Sequence, residues 1–468
     1  MKALKEQEFS FRDPSGMHVH MIGIGGSSMS GLSLMLKDMG CIVTGSNNTD
    51  NYLLDQVRSA GIPVKIGHQK ENVHGADLVV YTAAVSASNP ELQEAKNLGI
   101  PVMERAVLLS KLMRLKPLPT AVAGTHGKTT TTAMLAKVLI DCGKDPSVHV
   151  GGLADEIGGS VRIGTGDIFL SESCEFNRSF LHMRPFAEII LNIDRDHLDC
   201  YRDIDEIEET FGQFMSYVPK DGFVLGKGTD ERIVNEMAKL SCHTYTFGLE
   251  ENCTFHAENL TEDAMGYFCF DAFRSEEFLA HIDMSIPGPF NAENALAAFG
   301  AAILLGCERQ KAAESISGFH GVHRRYEYTG EVNGAKLFHD YGHNPREMEN
   351  ALSIARRQCQ KTLYAVVQPH TFSRVRSLFD EYLTCTKAAD VTIVTDIYGA
   401  RESDPGDLSS SMIVEGMRKN GLCAEYCATF EEAAKYLKEH LKPGDYAVTL
   451  GCGTINRLNE ILNNHTEN

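Results

Sequence analysis

Ala121-Val122-Ala123-Gly124-Thr125-His126-Gly127-Lys128-Thr129-Thr130-Thr131-Thr132 reads as the end of a buried strand, a glycine-flanked turn and the start of a helix. The apolar run Thr120 to Ala123 supplies the strand, and the helical pattern continues to Leu139. Such a segment is a phosphate cradle: glycines let backbone N–H groups close on an anion, and the helix N-terminus adds partial positive charge. Lys128 is then placed to reach β- and γ-phosphates, and Thr129 offers a hydroxyl to Mg²⁺. The full G-x-x-x-x-G-K-[ST] pattern is not met, because Val122 stands at its first glycine.

The chain around this turn has 468 residues, too many for one core, so two or three domains are expected. Its 43% hydrophobic and 23% charged content is that of a globular protein, and no apolar run nears the ~18 residues of a membrane span. A net charge of -19 argues against a nucleic-acid surface, which needs a basic stripe. Thirteen scattered cysteines without a C-x-x-C pair, and no signal peptide, point to reduced thiols in the cytoplasm.

Upstream, a strand from Met17 leads into Gly23-Ile24-Gly25-Gly26-Ser27-Ser28-Met29-Ser30-Gly31 and a helix, a Rossmann-like opening suited to a diphosphate. Ser28 takes the third glycine position, and the second strand ends in Gly45-Ser46-Asn47-Asn48 with no acid for a ribose hydroxyl, which disfavours a nicotinamide cofactor. Strands at 63–66 and 78–81 continue a parallel sheet, and the loop 82–91, carrying Ser86 and Asn89, lies where open α/β sheets bind ligands. Lys116-Pro117-Leu118-Pro119 reads as a domain boundary.

Downstream of the cradle, strands at 168–170 and 187–193 lead into two acidic segments, Ser171 to Phe180 and Asp194 to Asp199. Carboxylates past those strand ends are what a metal bridging β- and γ-phosphates requires. Mg²⁺ prefers oxygen, so composition alone makes His197 a capping or supporting residue. A zinc set of Cys174, His197 and Cys200 has no standard spacing. Residues 243–286 read as short strands and turns, and Asn291 and Asn294 as caps of the alanine-rich helix that follows. Gly321 to Glu327, with Arg324 and Arg325, reads as a hinge into a second doubly wound sheet. Its strand-end loops carry Asp340, His343, His370 and Arg374.

Together these segments resemble the Mur ligases, and among them the alanine-adding branch, over nearly the whole chain. The matching motifs are Gly-Ile-Gly-Gly-x-x-Met-Ser-Gly (23–31), Gly-Thr-His-Gly-Lys-Thr-Thr-Thr-Thr (124–132), Glu-x-x-Glu-x-x-x-Ser-Phe (172–180) and Asn-Ile-Asp-x-Asp-His-x-Asp (192–199). Further matches are Gly-Val-x-Arg-Arg-Tyr-Glu (321–327), Asp-Tyr-Gly-His-x-Pro (340–345) and Gln-Pro-His-Thr-Phe-Ser-Arg (368–374). Asn344 and Phe290 stand where the alanine-adding branch often has histidine, as in the sister ligases, and Asn47 stands where an acid is common. No lysine occurs from His197 to Pro219, where the sister ligases keep a carbamylated one.

The resemblance implies a three-domain α/β fold. A Rossmann-like UDP-sugar-binding domain would span 1–114, a central P-loop-type mononucleotide-binding ATPase domain 115–322, and a C-terminal Rossmann-like domain 323–468. It also implies ATP-dependent addition of L-alanine to the lactyl carboxylate of UDP-N-acetylmuramate through an acyl phosphate, in peptidoglycan precursor synthesis. ATP would meet Gly124, Thr125, His126, Gly127, Lys128, Thr129, Thr130, Asn291 and Arg325. Mg²⁺ or Mn²⁺ would be held by Thr129, Glu175 and His197. The UDP-sugar would meet Gly23, Gly25, Gly26, Ser27, Ser28, Met29, Ser30, Ser46, Ser86 and Asn89. His343, His370 and Arg374 would surround the substrate carboxylate and incoming alanine, with His343 or Asp340 taking the amine proton. Three rivals stand beside this reading: a recycling ligase that attaches an intact murein peptide, a nucleotide-binding regulatory ATPase, and a nicotinamide oxidoreductase.

Overall fold

The computed structural model describes residues 11–196, 200–400 and 402–463. His197 therefore lies outside the described residues. The first sheet has strands β1 (His18–Ile22), β2 (Ile42–Asn47), β3 (Val64–Ile66), β4 (Leu78–Tyr81) and β5 (Val102–Glu104). Helices α1 (Ser27–Asp38), α2 (Tyr52–Ser59), α3 (Pro90–Asn97) and α4 (Arg105–Met113) connect them. All pairings are parallel, in the order β3-β2-β1-β4-β5. The chain reverses direction of winding between β1 and β4, so the Gly23 turn and the loop after β4 flank the crevice where such sheets take ligands.

The second sheet begins with β6 (Leu118–Ala123), which leads through the cradle into α5 (Lys128–Asp141). Pro119, expected in a linker, is the second residue of β6, just before the β10 ladder begins at Thr120. There follow β7 (Ser147–Ala154), β8 (Gly159–Arg162), β9 (Ile168–Glu172), β10 (Ala187–Ile190), α6 (Ile204–Met215), β11 (Phe223–Lys227), α7 (Glu231–Met237) and β12 (His243–Phe247). The stretch expected as short strands forms a three-stranded antiparallel ribbon, β13 (Phe255–Glu262), β14 (Phe268–Arg274) and β15 (Glu277–Asp283). Helices α8 (Pro289–Leu304) and α9 (Arg309–Ser317) close the unit. The ten strands run β15-β14-β13-β12-β11-β10-β6-β9-β7-β8. β6 is central, flanked by β10 and β9, so both acidic segments emerge beside the cradle.

The last sheet holds β16 (Glu327–Val332), β17 (Ala335–Asp340), β18 (Leu363–Val367), β19 (Val391–Val394), β20 (Ala424–Tyr426) and β21 (Tyr446–Leu450). Its helices are α10 (Pro345–Gln358), α11 (Phe372–Ser377), α12 (Phe379–Tyr382), α13 (Ser410–Lys419), α14 (Phe430–His440) and α15 (Asn456–Asn463). The order is β16-β17-β21-β18-β19-β20, parallel except for the β16 edge. Three doubly wound or mixed α/β units thus follow one another along the chain.

One apolar cluster covers a face of the first sheet and continues without break onto the central sheet, joining Val19, Leu109 and Met113 to Phe180, Phe211 and Phe214. The last sheet has its own clusters, one on each face. The expected caps of α8 are otherwise employed: Gly288 is the N-cap, while Asn291 reaches back to the Pro287 carbonyl at 2.7 Å. Asn294 in turn donates to Asn291 at 3.2 Å. Among the described residues no helix is long and apolar enough to cross a membrane.

Candidate active site

The turn after β6 is built so that only glycine fits before the lysine. Gly127 has φ of +82°, and a Cβ there would meet Asn294 Oδ1 at 2.7 Å. The loop is also clamped from β10's end. His126 donates its N–H to Asn192 Oδ1 at 2.8 Å, and Asn192 returns a bond to the His126 carbonyl at 3.1 Å. The Asp194 N–H donates to Thr125 Oγ1 at 2.9 Å. Thr130 follows, half-buried, in the first turn of α5.

Lys128 Nζ is folded over its own turn. It donates to Glu175 at 2.9 and 3.1 Å, to the Thr125 carbonyl at 2.9 Å, and to the Gly124 carbonyl. Burial alone would discharge this amine, but the Glu175 carboxylate raises its pKa above the usual lysine value, so it stays cationic. The hydroxyl of Thr129 donates to Glu172 Oε1 at 3.1 Å, and the other Glu172 oxygen accepts the Gly151 N–H at 2.7 Å. Glu172 was not among the expected site residues, although the Glu-x-x-Glu spacing contains it. It lines the cavity with Thr129, whereas Glu175 is 2% exposed and paired with Lys128.

That cavity, of about 1440 Å³, opens where loops of all three units meet. The last unit contributes Arg325, Tyr341, His343, His370 and Arg374 to its lining. The His343 and His370 rings lie 5.6 Å apart, and Arg374 donates to His370 Nδ1 at 3.1 Å and to Asp196 at 2.8 Å. Sequence expectation had grouped these three, and the fold brings them together. Burial pushes the His343 pKa down to about 4, so the ring is neutral at pH 7. Its Nδ1 faces the Tyr341 carbonyl at 3.2 Å and Glu347 at 3.4 Å, both acceptors, which leaves Nε2 as the bare nitrogen. Arg325 lies over the Tyr341 ring at 5.0 Å.

Glu347, unforeseen from sequence, is the link between the units. One oxygen faces His126 Nδ1 at 3.3 Å, and the other accepts the His343 N–H at 3.1 Å. The Asn344-Pro-Arg-Glu347 spacing is a capping box for α10, and that signal was legible as a helix start. On its opposite nitrogen His126 meets Asp194 at 3.5 Å. Burial opposes its charge, yet the Asp194 and Glu347 carboxylates lift the His126 pKa to about 9.

The remaining expectations divide. Ser27 lines the cavity and donates to the Gly151 carbonyl at 2.9 Å, while Ser28 contacts His149 at 2.7 Å, so the first glycine turn is docked on β7. Gly25 donates to Asn47 Oδ1 at 3.2 Å, and a Cβ on Gly25 would meet Asn47 Nδ2 at 2.7 Å. Gly23 and Gly26 close that same turn through a 3.1 Å bond. Met29 and Ser30 are each 1% exposed and belong to the packing of α1. Ser46 is fully buried, donating to Glu91 at 2.5 Å, and so lies off the cavity. Asn89 is the N-cap of α3, accepting from Glu91 and Leu92, and Ser86 pairs with Ser88 on the surface. Asp340 accepts N–H bonds from Tyr326 at 2.8 Å and Gly342 at 2.6 Å, which suits a brace for the hinge rather than a proton acceptor. Asn291 stands behind the cradle and reaches it through Asn294.

The family model described as "Mur ligase family, catalytic domain" matches residues 18–117, "Mur ligase middle domain" 122–302, and "Mur ligase, glutamate ligase domain" 324–453. A UDP-N-acetylmuramate--L-alanine ligase of Acetivibrio thermocellus is 40% identical over 97% of this chain and 98% of its own. One of the same name from Caldanaerobacter subterraneus subsp. tengcongensis is 42% identical, covering 94% and 96%. The crystal structure of UDP-N-acetylmuramate-alanine ligase from Thermotoga maritima superposes with a TM-score of 0.81 at 26% identity, covering 95% of this chain and 98% of that one. A murein peptide ligase from Psychrobacter arcticus shares the fold, with a TM-score of 0.75 at 24% identity and coverage of 96% and 98%. With three family models in register along the sequence and relatives at this level of identity from end to end, the protein belongs to the Mur ligase family.

Proposed function

We propose that this chain uses ATP to join L-alanine to the lactyl carboxylate of UDP-N-acetylmuramate, a cytoplasmic step in making peptidoglycan precursors. The observation that carries the reading is Glu347, which ties the phosphate turn through His126 to the His343 cluster at one cavity. The alanine-adding name of the relatives at 40% and 42% identity supports the choice of amino acid. Thirteen free cysteines agree with a reducing compartment. In this reading the functional units are 1–114 for the UDP-sugar, 115–322 for ATP, and 323–468 for closure over the amino acid.

A carboxylate resists attack by an amine because oxide is a poor leaving group. Transfer of the γ-phosphoryl group to the lactyl oxygen, with loss of ADP, makes an acyl phosphate. The neutral amine then attacks the carbonyl carbon, and the C–O bond to phosphate breaks. The two anionic reactants repel each other, and Lys128, kept cationic by Glu175, offsets that repulsion once it turns from its loop carbonyls to the phosphates. Arg374 suits a substrate carboxylate and Arg325 the nucleotide phosphates, as forks on the cavity wall. His343 Nε2, bare and neutral, is placed to take the amine proton. Thr129 and Glu172 present hard oxygen donors side by side in the cavity, a set that fits Mg²⁺. When bound, the metal would neutralise charge on the β- and γ-phosphates.

A panel of amino acids with phosphate release as readout tests the reading. Release that needs both UDP-N-acetylmuramate and L-alanine is expected. Release that ignores both would make the chain a regulatory ATPase, and a response to the murein tripeptide alone would make it a recycling ligase.

A further inference from the structure

The antiparallel ribbon β13–β15 carries chemistry that the ligase reaction does not use. Along β14, Phe270 and Ala272 face the core while Cys269 and Asp271 face outward. Along β15, Ala280 and Ile282 face inward while His281 and Asp283 face outward. The strand register sets Cys269 opposite Asp283 and Asp271 opposite His281. Alternation and pairing therefore collect a thiol, an imidazole and two carboxylates on one outer face. None of the four lines the phosphate cavity.

The Cys269 sulfur, a His281 ring nitrogen and an Asp283 oxygen all lie within 4.8 Å of one another. Donors about 2.0–2.3 Å from a tetrahedral zinc ion stand roughly 3.3–3.8 Å apart, so small side-chain rotations gather these three around one ion. The histidine is already oriented for it. His281 Nδ1 contacts Asp271 Oδ1 at 2.6 Å, while Nε2 faces Asp283 at 3.3 Å. Asp271 is itself fixed by Asn259, which donates to its other oxygen at 2.7 Å. A carboxylate behind the non-coordinating nitrogen is the usual support of a metal-bound imidazole. The Cys269 sulfur lies 2.9 Å from Thr261 Oγ1, which holds the thiol on this face.

We propose that Cys269, His281 and Asp283 bind a divalent ion of the zinc class on the outer face of the ribbon, with Asp271 as the positioning residue for His281. A mixed sulfur, nitrogen and oxygen set selects zinc or cobalt over Mg²⁺ or Ca²⁺, which separates this site from the oxygen donors at Thr129. Three protein ligands leave a fourth position to water or a ligand from outside.

The test uses the full chain, stripped with chelator and held in excess Mg²⁺ so that the nucleotide site is filled. Titration with Co²⁺ is followed by the near-ultraviolet thiolate-to-cobalt absorption, with Zn²⁺ as competitor. One equivalent of Co²⁺ should raise the band and Zn²⁺ should abolish it. Cys269→Ser should remove it, and His281→Gln or Asp283→Asn should weaken binding, all without loss of ligase turnover. Asp271→Asn should weaken Co²⁺ binding about 10–100-fold with the band retained. Absence of the band at millimolar Co²⁺, or a band that survives Cys269→Ser, overturns the site. An unchanged midpoint in His281→Gln overturns it equally. Circular dichroism of each variant separates these outcomes from misfolding.

Discussion

Glu188 stands in the middle of the central sheet, between Ala121 on β6 and Val224 on β11, fully buried and with neither carboxylate oxygen hydrogen-bonded. Burial raises its pKa well above the ordinary 4.5, so the folded protein holds a proton that the unfolded chain gives up. Stability must then fall as pH rises from about 4.5 toward that raised value, by up to ~1.4 kcal/mol per pH unit. Glu188→Met should flatten that slope and stabilise the protein by about 1–3 kcal/mol near pH 8, read from urea unfolding at pH 6 and pH 8. A variant no more stable than the parent at pH 8 would refute the argument. Sequence gave no sign of this residue, because a single acid in an apolar run looks like any solvated strand position. The same blindness explains Ser46 and Asn89: their sequence places them at strand-end loops, but Ser46 is turned onto Glu91 and Asn89 caps α3. Gly127, Lys128 and Thr129 were legible because the turn and the Lys-Thr pair announce themselves in adjacent positions, although their partners Asn294, Glu175 and Glu172 lie elsewhere in the chain. Glu347 was not, because its partner His126 lies 221 positions away.

At the scale of elements, the cradle depends on pieces that approach it from other parts of the chain. Gly127→Ala would push a methyl group against Asn294 at a backbone angle that alanine resists, and so displace either the turn or α8. The expected result is a loss of ATP affinity greater than that of any exposed Gly→Ala change, measured by nucleotide titration. The His126–Glu347 pair joins the cradle to α10 and responds to pH in a defined direction. Because the folded pKa of His126 is raised to about 9 from 6.5, its contribution is complete below pH 6.5 and is lost as pH rises through 9. Asp194 also raises this pKa, so Glu347→Gln should remove part of that dependence, and thermal midpoints of parent and variant should draw together between pH 7 and pH 10. A gap that stays constant across the range would show that the pair is not the source. The caps of α8 were misjudged for a physical reason: Pro289 and Gly288 already start the helix, which frees both asparagines to hold the turn from behind.

For the whole molecule, the alternation of apolar runs and polar loops made the parallel strands of the sheets legible. It hid β7 and β8, which pair antiparallel with no crossover helix between them, β8 being the edge of the sheet. β7 docks the first unit, and the shared apolar cluster makes units one and two a single body. The third unit has separate cores and joins through Gly321 to Glu327, where Arg324 and Tyr326 hold positive φ angles of 64° and 47°. Near the cavity it meets the central unit through charge pairs: Glu347 with His126, Arg346 with Asp194, and Arg374 with Asp196. These pairs should not contribute equally. Arg346 is 67% exposed, so its pair is screened and worth at most about 1 kcal/mol. Arg374 and Asp196 are each 11% exposed, and removing one partner strands a charge at a cost of about 3–5 kcal/mol in the closed form. Asp196→Asn should therefore open the third unit where Arg346→Ala does not, visible as a larger radius of gyration in small-angle scattering of the free protein. Added salt should reproduce little of that opening, since the Arg374 pair is shielded from solvent ions. Equal radii for the two variants would mean that the buried pair is not what holds the arrangement shut.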